Sequence, residues 1–254
     1  MDPFLHNLVA FLAGTVAGAM NAVAGGGSLV SFPALVWLGL PSITANATNT
    51  VSVWPGSAGS MWGYRRELKA IHARMYVLVI PSLIGGLIGA LLLRLTPGRI
   101  FDQLVPVLVL FATVLFMLQA PVQKLFNRST PEHRGAGWLA GAALFQLLVG
   151  VYGGYFGAGI GILMLASLSI LGHDDIHQMN GFKNLLATFV NGIAAIYFIW
   201  MGMVSWPDAM VMMAGAIVGG VGGAGIARRL EQKTVRRIVV AIGFSMAAAL
   251  MARL

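Results

Sequence analysis

Apolar runs long enough to cross a bilayer as helices, about 20 residues each, recur from Phe4 to the C-terminus. The polar stretches between them are short, and none leaves room for a sizeable soluble domain. In lipid every backbone N–H and C=O must be paired within the protein, so spanning segments are helices or closed barrels. Runs of this length read as helices. Charged residues make up 9% of the 254 residues, against about 25% in soluble domains, and the mean hydropathy is +0.83. The expectation is an all-α polytopic membrane protein. The net charge of +8 comes from basic residues in short loops between apolar segments, the pattern of cytoplasmic loops rather than of a nucleic-acid-binding face. With no cysteine in the chain, disulfides, thiol catalysis and thiolate metal sites are excluded. No cofactor and no nucleic acid are expected. The N-terminus, Met1-Asp2-Pro3-Phe4-Leu5-His6-Asn7, has no basic region and no small-residue cleavage site. The first apolar segment is therefore expected to remain in the protein rather than act as a signal peptide.

Two of the apolar runs are interrupted. The first meets Ala24-Gly25-Gly26-Gly27-Ser28, and each glycine costs about 1 kcal/mol of helix propensity relative to alanine. A short apolar stretch, Leu29 to Leu40, follows and ends at Pro41-Ser42. Such a stretch is too short to cross a hydrocarbon core about 30 Å thick. Further on, Gly157-Ala158-Gly159-Ile160-Gly161 and another short stretch repeat the arrangement.

The likeness extends along the chain. Adding 134 to a position takes Gly25 to Gly159, Gly27 to Gly161, Asn46 to Asn180, Gly85-Gly86 to Gly219-Gly220 and Gly89 to Gly223. One ungapped offset joins a helix break, an asparagine and a Gly-Gly-x-x-Gly face, which marks an internal duplication. Residues 1–118 read as one repeat, 119–135 as a cytoplasmic linker and 136–254 as a second repeat. Together they make one transmembrane domain. Equivalent loops differ in charge: the loop holding Arg65, Arg66, Lys69, His72 and Arg74 has a partner, Ile199 to Asp208, without Lys or Arg. Inverted repeats place partner loops on opposite sides, and the positive-inside rule then gives this alternation. The expected architecture is two inverted repeats, each a broken, re-entrant hairpin plus three spanning helices. Parallel repeats are the alternative, and the loop holding Arg94 and Arg99 fits the inverted arrangement poorly.

Inverted repeats with discontinuous helices put a binding site at the repeat interface near the midplane. A half-helix beginning at Ser28, and one beginning after Gly161, would each direct a positive dipole end at that point. Candidate substrate-binding residues at the breaks are Asn21, Gly25, Gly26, Gly27, Ser28, Gly159 and Gly161. From the following helices come Asn46, Thr48 and Asn49, and Asn180, Lys183 and Asn184. Lys183 stands about 10 Å along its helix, and an intramembrane charge marks function by default. Each feature also has a plainer reading. Small residues let helices approach, Asn and Thr hydrogen-bond between helices, and a lysine can snorkel to the interface. Close packing is the expected role of the two Gly-Gly-x-x-Gly faces. His173, Asp174, Asp175 and His177 are candidates for a proton relay, with a solvated loop as the alternative. Most tryptophans lie near segment ends, where they anchor at the interface; Trp54, deeper and beside Pro55, is a candidate to line a pathway.

Gly18 through Ser28 with Pro33, Asn46-Ala47-Thr48-Asn49-Thr50, and Asn180-Gly181-Phe182-Lys183-Asn184 together resemble the TauE/SafE family of sulfite and organosulfonate exporters, also called toluene-sulfonate uptake permeases. The duplication covers nearly the whole chain, as it does in that family. The resemblance implies secondary transport of small sulfur-containing anions (sulfite, sulfoacetate or other organosulfonates) across the bacterial inner membrane by a multi-pass protein. The motifs leave direction open. Other anion transporters and a passive anion channel remain as alternatives. A membrane-embedded enzyme fits less well, because no acid pair or Ser-His pairing lies within a span. The expected partners are a small anion and the lipid bilayer, with proton or ion coupling and homo-oligomer formation both compatible with the sequence.

Overall fold

The computed structural model describes residues 2–23, 26–126, 136–170, 176–226 and 232–251. Every regular element in that range is a helix. Helix α1 (Pro3–Val23) meets the first glycine break and is followed by the ten-residue α2 (Ser28–Trp37) and the longer α3 (Ser42–Gly63). A short α4 (Arg65–Lys69) and a 3₁₀ turn (Ala73–Leu78) lead to α5 (Val79–Leu95) and α6 (Gly98–Phe126). The second half of the chain forms α7 (Ala136–Tyr155), the eleven-residue α8 (Ile160–Ile170), α9 (Ile176–Trp200), α10 (Trp206–Ile226) and α11 (Gln232–Met251). The 3₁₀ turn gives way to α-helix at Val79. Pro81 explains the change: a proline is tolerated in a first helical turn, but in an interior it lacks an N–H and strikes the carbonyl four residues back. Helix α6 continues through Phe126, into the stretch read from the sequence as linker.

Among the described residues four helical stretches are long and apolar enough to cross a membrane: Pro3–Asn21, Met75–Leu95, Gly98–Leu118 and Gln178–Trp200. Helix α3 has 22 residues but is not one of the four. Its polar residues Asn46, Thr48, Asn49, Thr50 and Ser52 are all buried. Helix α3 is therefore shielded from lipid by its neighbours, which is the one way such a polar helix can sit at membrane depth.

Contacts fix the relative directions of the helices. His6 meets Asp208, while Gly14 and Gly18 face Met212 and Ala216, so α1 and α10 run the same way. Thr48 meets Ser205 and Ser52 meets Ala209, so α3 runs with them. Since α1 and α3 are parallel, α2 must lead the chain back between them. On the other side, Gly85 and Gly89 face Leu147 and Val151, so α5 and α7 are parallel. Tyr76 stacks edge-on against Phe182 and Gly86 faces Val190, which aligns α9 with α5. Trp54 meets Thr188 and Tyr64 meets Gly181, so α3 and α9 are antiparallel. The bundle thus holds two sets of parallel helices, α1/α3/α10 and α7/α9/α5, opposed to one another.

Glycine makes the tightest of these contacts. A Cβ added at Gly18 would strike the Ala216 carbonyl oxygen, and one at Gly219 the Thr15 carbonyl oxygen. Gly85 and Gly89 stand in the same relation to the carbonyls of Leu147 and Val151. The packing role expected for Gly85, Gly86, Gly89 and Gly219 is what these contacts describe, whereas Gly220 has no neighbour closer than 3.8 Å.

Candidate functional site

Each short helix begins at a glycine turn, and positive φ angles explain why glycine is there. Gly26 has φ 86°, and Gly157 and Gly159 both have φ 76°, a region that L side chains rarely enter. Side chains then fix each turn. Asn21, near the end of α1, accepts the Gly27 N–H at 2.8 Å, satisfying a donor at the start of α2 that has no intrahelical partner. In the second break the Tyr152 hydroxyl donates to the Ala158 carbonyl at 2.6 Å. Phe32 of α2 and Phe156 at the second break pack edge to face, ring centroids 5.2 Å apart.

The two breaks line one cavity of about 30 Å³, roughly room for a single water molecule. Gly26, Ser28, Gly157, Ile160 and Gly161 come from the breaks, and Asn21 from the end of α1. Helix α3 contributes Val53 and Ser57; α9 contributes Lys183, Asn184, Ala187 and Asn191. Lys183 is 1% exposed. Its Nζ donates to Asn180 Oδ1 at 3.3 Å, and among the described residues no carboxylate pairs with it. Asn184 Nδ2 is buried and has no hydrogen-bond partner among the described residues. An isolated buried ammonium costs several kcal/mol of desolvation, so an unpaired lysine beside an unused amide donor is an anion-accepting arrangement.

The other sequence candidates lie around this cavity and hold its walls. Asn180 is Lys183's partner. Ser31 Oγ donates to Asn49 Oδ1 at 2.5 Å and so ties α2 to α3. Asn46 Nδ2 donates to the Tyr155 carbonyl at 2.8 Å, joining α3 to the end of α7, while its Oδ1 is buried without a partner among the described residues. Thr48 accepts from Ser205 N at 3.0 Å, away from the cavity. Gly27 is held against the Ala17 backbone and Gly159 against Ala112. Gly25, His173, Asp174 and Asp175 lie outside the described residues, and of His177 only the backbone is described. Trp54 does not line the cavity; its Nε1 donates to the Thr188 carbonyl at 3.1 Å and its ring covers Gly192. Val53, Ser57, Ala187, Ile160, Gly157 and Asn191 line the cavity but are not among the sequence candidates for the site. The first three were findable: Val53 and Ser57 lie one and two turns beyond Asn49, and Ala187 one turn beyond Lys183, on the same helix faces.

A helical membrane protein with a small polar cavity between two broken helices, and a buried cation inside it, has the arrangement of a membrane transporter. The chain belongs to the TauE/SafE family. The profile described as "Sulfite exporter TauE/SafE" matches residues 10–250. A protein of Haemophilus influenzae, "Probable membrane transporter protein", is 30% identical over 247 residues, covering 94% of this chain and 92% of its own. "Probable membrane transporter protein YfcA" of Escherichia coli K12 is 26% identical over 252 residues, covering 99% and 91%. The Bacillus subtilis protein "Probable membrane transporter protein YunE" is 23% identical over 255 residues, covering 91% and 93%. No solved structure matches the chain. The protein is a multi-pass membrane transporter and not an enzyme.

Proposed function

We propose that the protein is a secondary transporter of small sulfur-containing anions (sulfite, sulfoacetate or other organosulfonates) in the bacterial inner membrane, working by alternating access. The observation that carries this reading is Lys183, buried without a carboxylate among the described residues, beside the unused donor Asn184 Nδ2. Helix N-termini at α2 and α8 add positive dipole ends at the same cavity. Among the described residues no Asp or Glu lines it. The family's description as a sulfite exporter supports the choice of anion.

The cavity is too small for any of these anions as it stands, so uptake requires the walls to part. Two inverted repeats would supply that motion. An offset of 134 carries α1, α2 and α3 onto α7, α8 and α9, and carries α5 and α6 onto α10 and α11. Under that exchange the α1–α10 contact becomes α7–α5, and α3–α10 becomes α9–α5. The equivalent helices α3 and α9 run antiparallel, as inverted repeats require. Rocking of one repeat against the other would expose the Lys183 site first to one side and then to the other. The basic loop after α3 would then face the cytoplasm. Labels attached near Lys69 and Lys233 should react from the same side of the membrane; reaction from opposite sides would overturn the inverted arrangement.

The substrate is tested by thermal melting of the detergent-solubilised chain with sulfite, sulfoacetate, acetate and chloride in turn. A ligand that binds the folded state raises the melting temperature with the logarithm of its concentration. Sulfite or sulfoacetate should do so, and radiolabelled sulfite should exchange into proteoliposomes in a saturable way. If neither sulfur anion shifts melting and no labelled sulfite moves, the reading is wrong. Exchange that does not saturate would indicate a passive channel.

A further inference from the structure

An offset of 134 carries Asn46 of α3 onto Asn180 of α9, and Asn49 onto Lys183. The two asparagine oxygens have different partners. On α9, Asn180 Oδ1 accepts from the Lys183 ammonium at 3.3 Å. On α3 an asparagine stands where that lysine would be, and Asn46 Oδ1 is buried with no hydrogen-bond partner among the described residues. The residue is 1% exposed. Its amide is fixed in direction, because Nδ2 donates to the Tyr155 carbonyl at 2.8 Å and a flipped amide would set two oxygens against each other. We propose that Asn46 Oδ1 and Asn49 Oδ1 bind a sodium ion, which takes on α3 the place that the Lys183 ammonium holds on α9.

The polarity of the spare atom decides the ligand. Asn184 keeps a donor beside Lys183, which suits an anion, whereas Asn46 keeps an acceptor, which repels an anion and attracts a cation. Asn49 lies one turn along the same helix face, where Cβ atoms stand about 5–6 Å apart, so both carbonyl oxygens can reach an ion between them. Asn49 Oδ1 accepts from Ser31 Oγ and keeps a second lone pair for the ion. The Ser31 hydroxyl and the Tyr155 carbonyl, each hydrogen-bonded to one of the two asparagines, are further oxygens beside the site. All of these ligands are neutral. Helix α3 carries no acid, and among the described residues no three His, Asp or Glu side chains form a metal-binding group. The ion is therefore monovalent, since divalent ions are held by carboxylates. A proton does not fit, because a neutral amide is not a titrating group. Gln146 Oε1 is also buried without a partner among the described residues. Its neighbours three and four positions away, Ala142, Ala143, Val149 and Gly150, offer no second side-chain oxygen.

Binding here bears on both glycine breaks. Tyr155 ends α7 just before the second break, and Ser31 lies in the first turn of α2 just after the first. An ion between Asn46 and Asn49 therefore draws α3, α2 and α7 together around the cavity. It favours the closed arrangement, and an anion held in that cavity favours the ion in return. The site's role in transport rests on the anion-transport reading above; its existence does not.

Thermal melting of the full chain in detergent tests the site, in sodium, potassium or choline chloride at one chloride concentration and without any sulfur anion. Sodium should raise the melting temperature with the logarithm of its concentration, above both potassium and choline. Asn49→Lys puts a tethered ammonium one turn beyond Asn46, as Lys183 stands to Asn180, and should abolish the sodium effect. Ser31→Ala keeps both asparagines but releases Asn49, and should move the effect to sodium concentrations about tenfold higher or more. If Asn49→Lys does not fold, wild type and Ser31→Ala decide. Sodium acting no better than choline on wild type would overturn the site, as would a sodium effect unchanged in the folded variants. Potassium acting as strongly would overturn the choice of sodium. Uptake of labelled sulfite by proteoliposomes at a clamped membrane potential gives the second reading. An inward sodium gradient should speed uptake by wild type and leave Asn49→Lys indifferent. If sulfite never moves while sodium still raises the melting temperature, the anion-transport reading alone is overturned. Wild-type uptake that is equal with and without sodium would overturn the site's role in transport.

Discussion

Replacement of Lys183 by methionine is expected to raise the melting temperature of the anion-free protein and to abolish anion transport. The two effects have one cause. The ammonium is buried and has no carboxylate partner among the described residues, so the empty protein bears a desolvation cost that an anion would offset. Methionine has a similar length and no charge, and replacing buried charges with apolar groups of like volume is often neutral or stabilising by about 1–4 kcal/mol. Removing one partner of a buried charged contact costs about 2–5 kcal/mol of binding, so sulfite uptake should fall by about 30-fold or more. Thermal melting with and without sulfite reads both effects in one experiment. The expected result is a higher baseline and no shift on adding the anion. Sulfite uptake at wild-type rates by Lys183→Met would remove this residue from the site, and a lowered baseline would mean that the lysine has a structural partner.

The second large effect is on folding. Gly219→Val should destabilise the protein by about 3 kcal/mol, the upper end of ordinary overpacking, and the yield of monodisperse protein should drop with it. The reason is geometric. A Cβ at Gly219 collides with the Thr15 carbonyl oxygen, a backbone atom that cannot turn aside as a flexible side chain would. Gly59→Ala is the matched control. It lies within α3 and a Cβ there meets nothing within 4 Å, so the gain in helix propensity, about 0.5–1 kcal/mol, should slightly raise the melting temperature. Equal melting temperatures for Gly219→Val and wild type would show that α1 and α10 are held by other contacts.

Much of the fold was legible because hydropathy and glycine act locally. The breaks at Gly26 and Gly157–Gly159 and the short helices after them fall where the glycines and the short apolar stretches place them. Exceptions have local causes as well, such as the 3₁₀ start enforced by Pro81. The polar face of α3 was visible as Asn46, Thr48, Asn49, Thr50 and Ser52, but its two tasks could not be separated. Hydrogen bonding between helices and ligand binding use the same residue types, and sequence spacing does not say which atoms are already occupied. In the structure Asn49 and Thr48 have partners on α2 and beside α10, whereas Asn184 keeps a donor without a partner among the described residues.

By itself the sequence determined the solvent, the order of helices and breaks, and the family, because each depends on composition or on motifs read along the chain. It also singled out Lys183, since a charge inside an apolar run stands out without any coordinates. Only the tertiary structure decided that both glycine breaks line one cavity and that Lys183 lies there without an acid among the described residues. It alone brought His6 to Asp208, 202 positions away. Those contacts depend on which helix faces meet, and helix periodicity restricts the choice of faces without pairing them. The pairing was set by backbone approaches that glycine permits at Gly18, Gly85, Gly89 and Gly219, where the absence of a side chain marks a surface but does not name its partner.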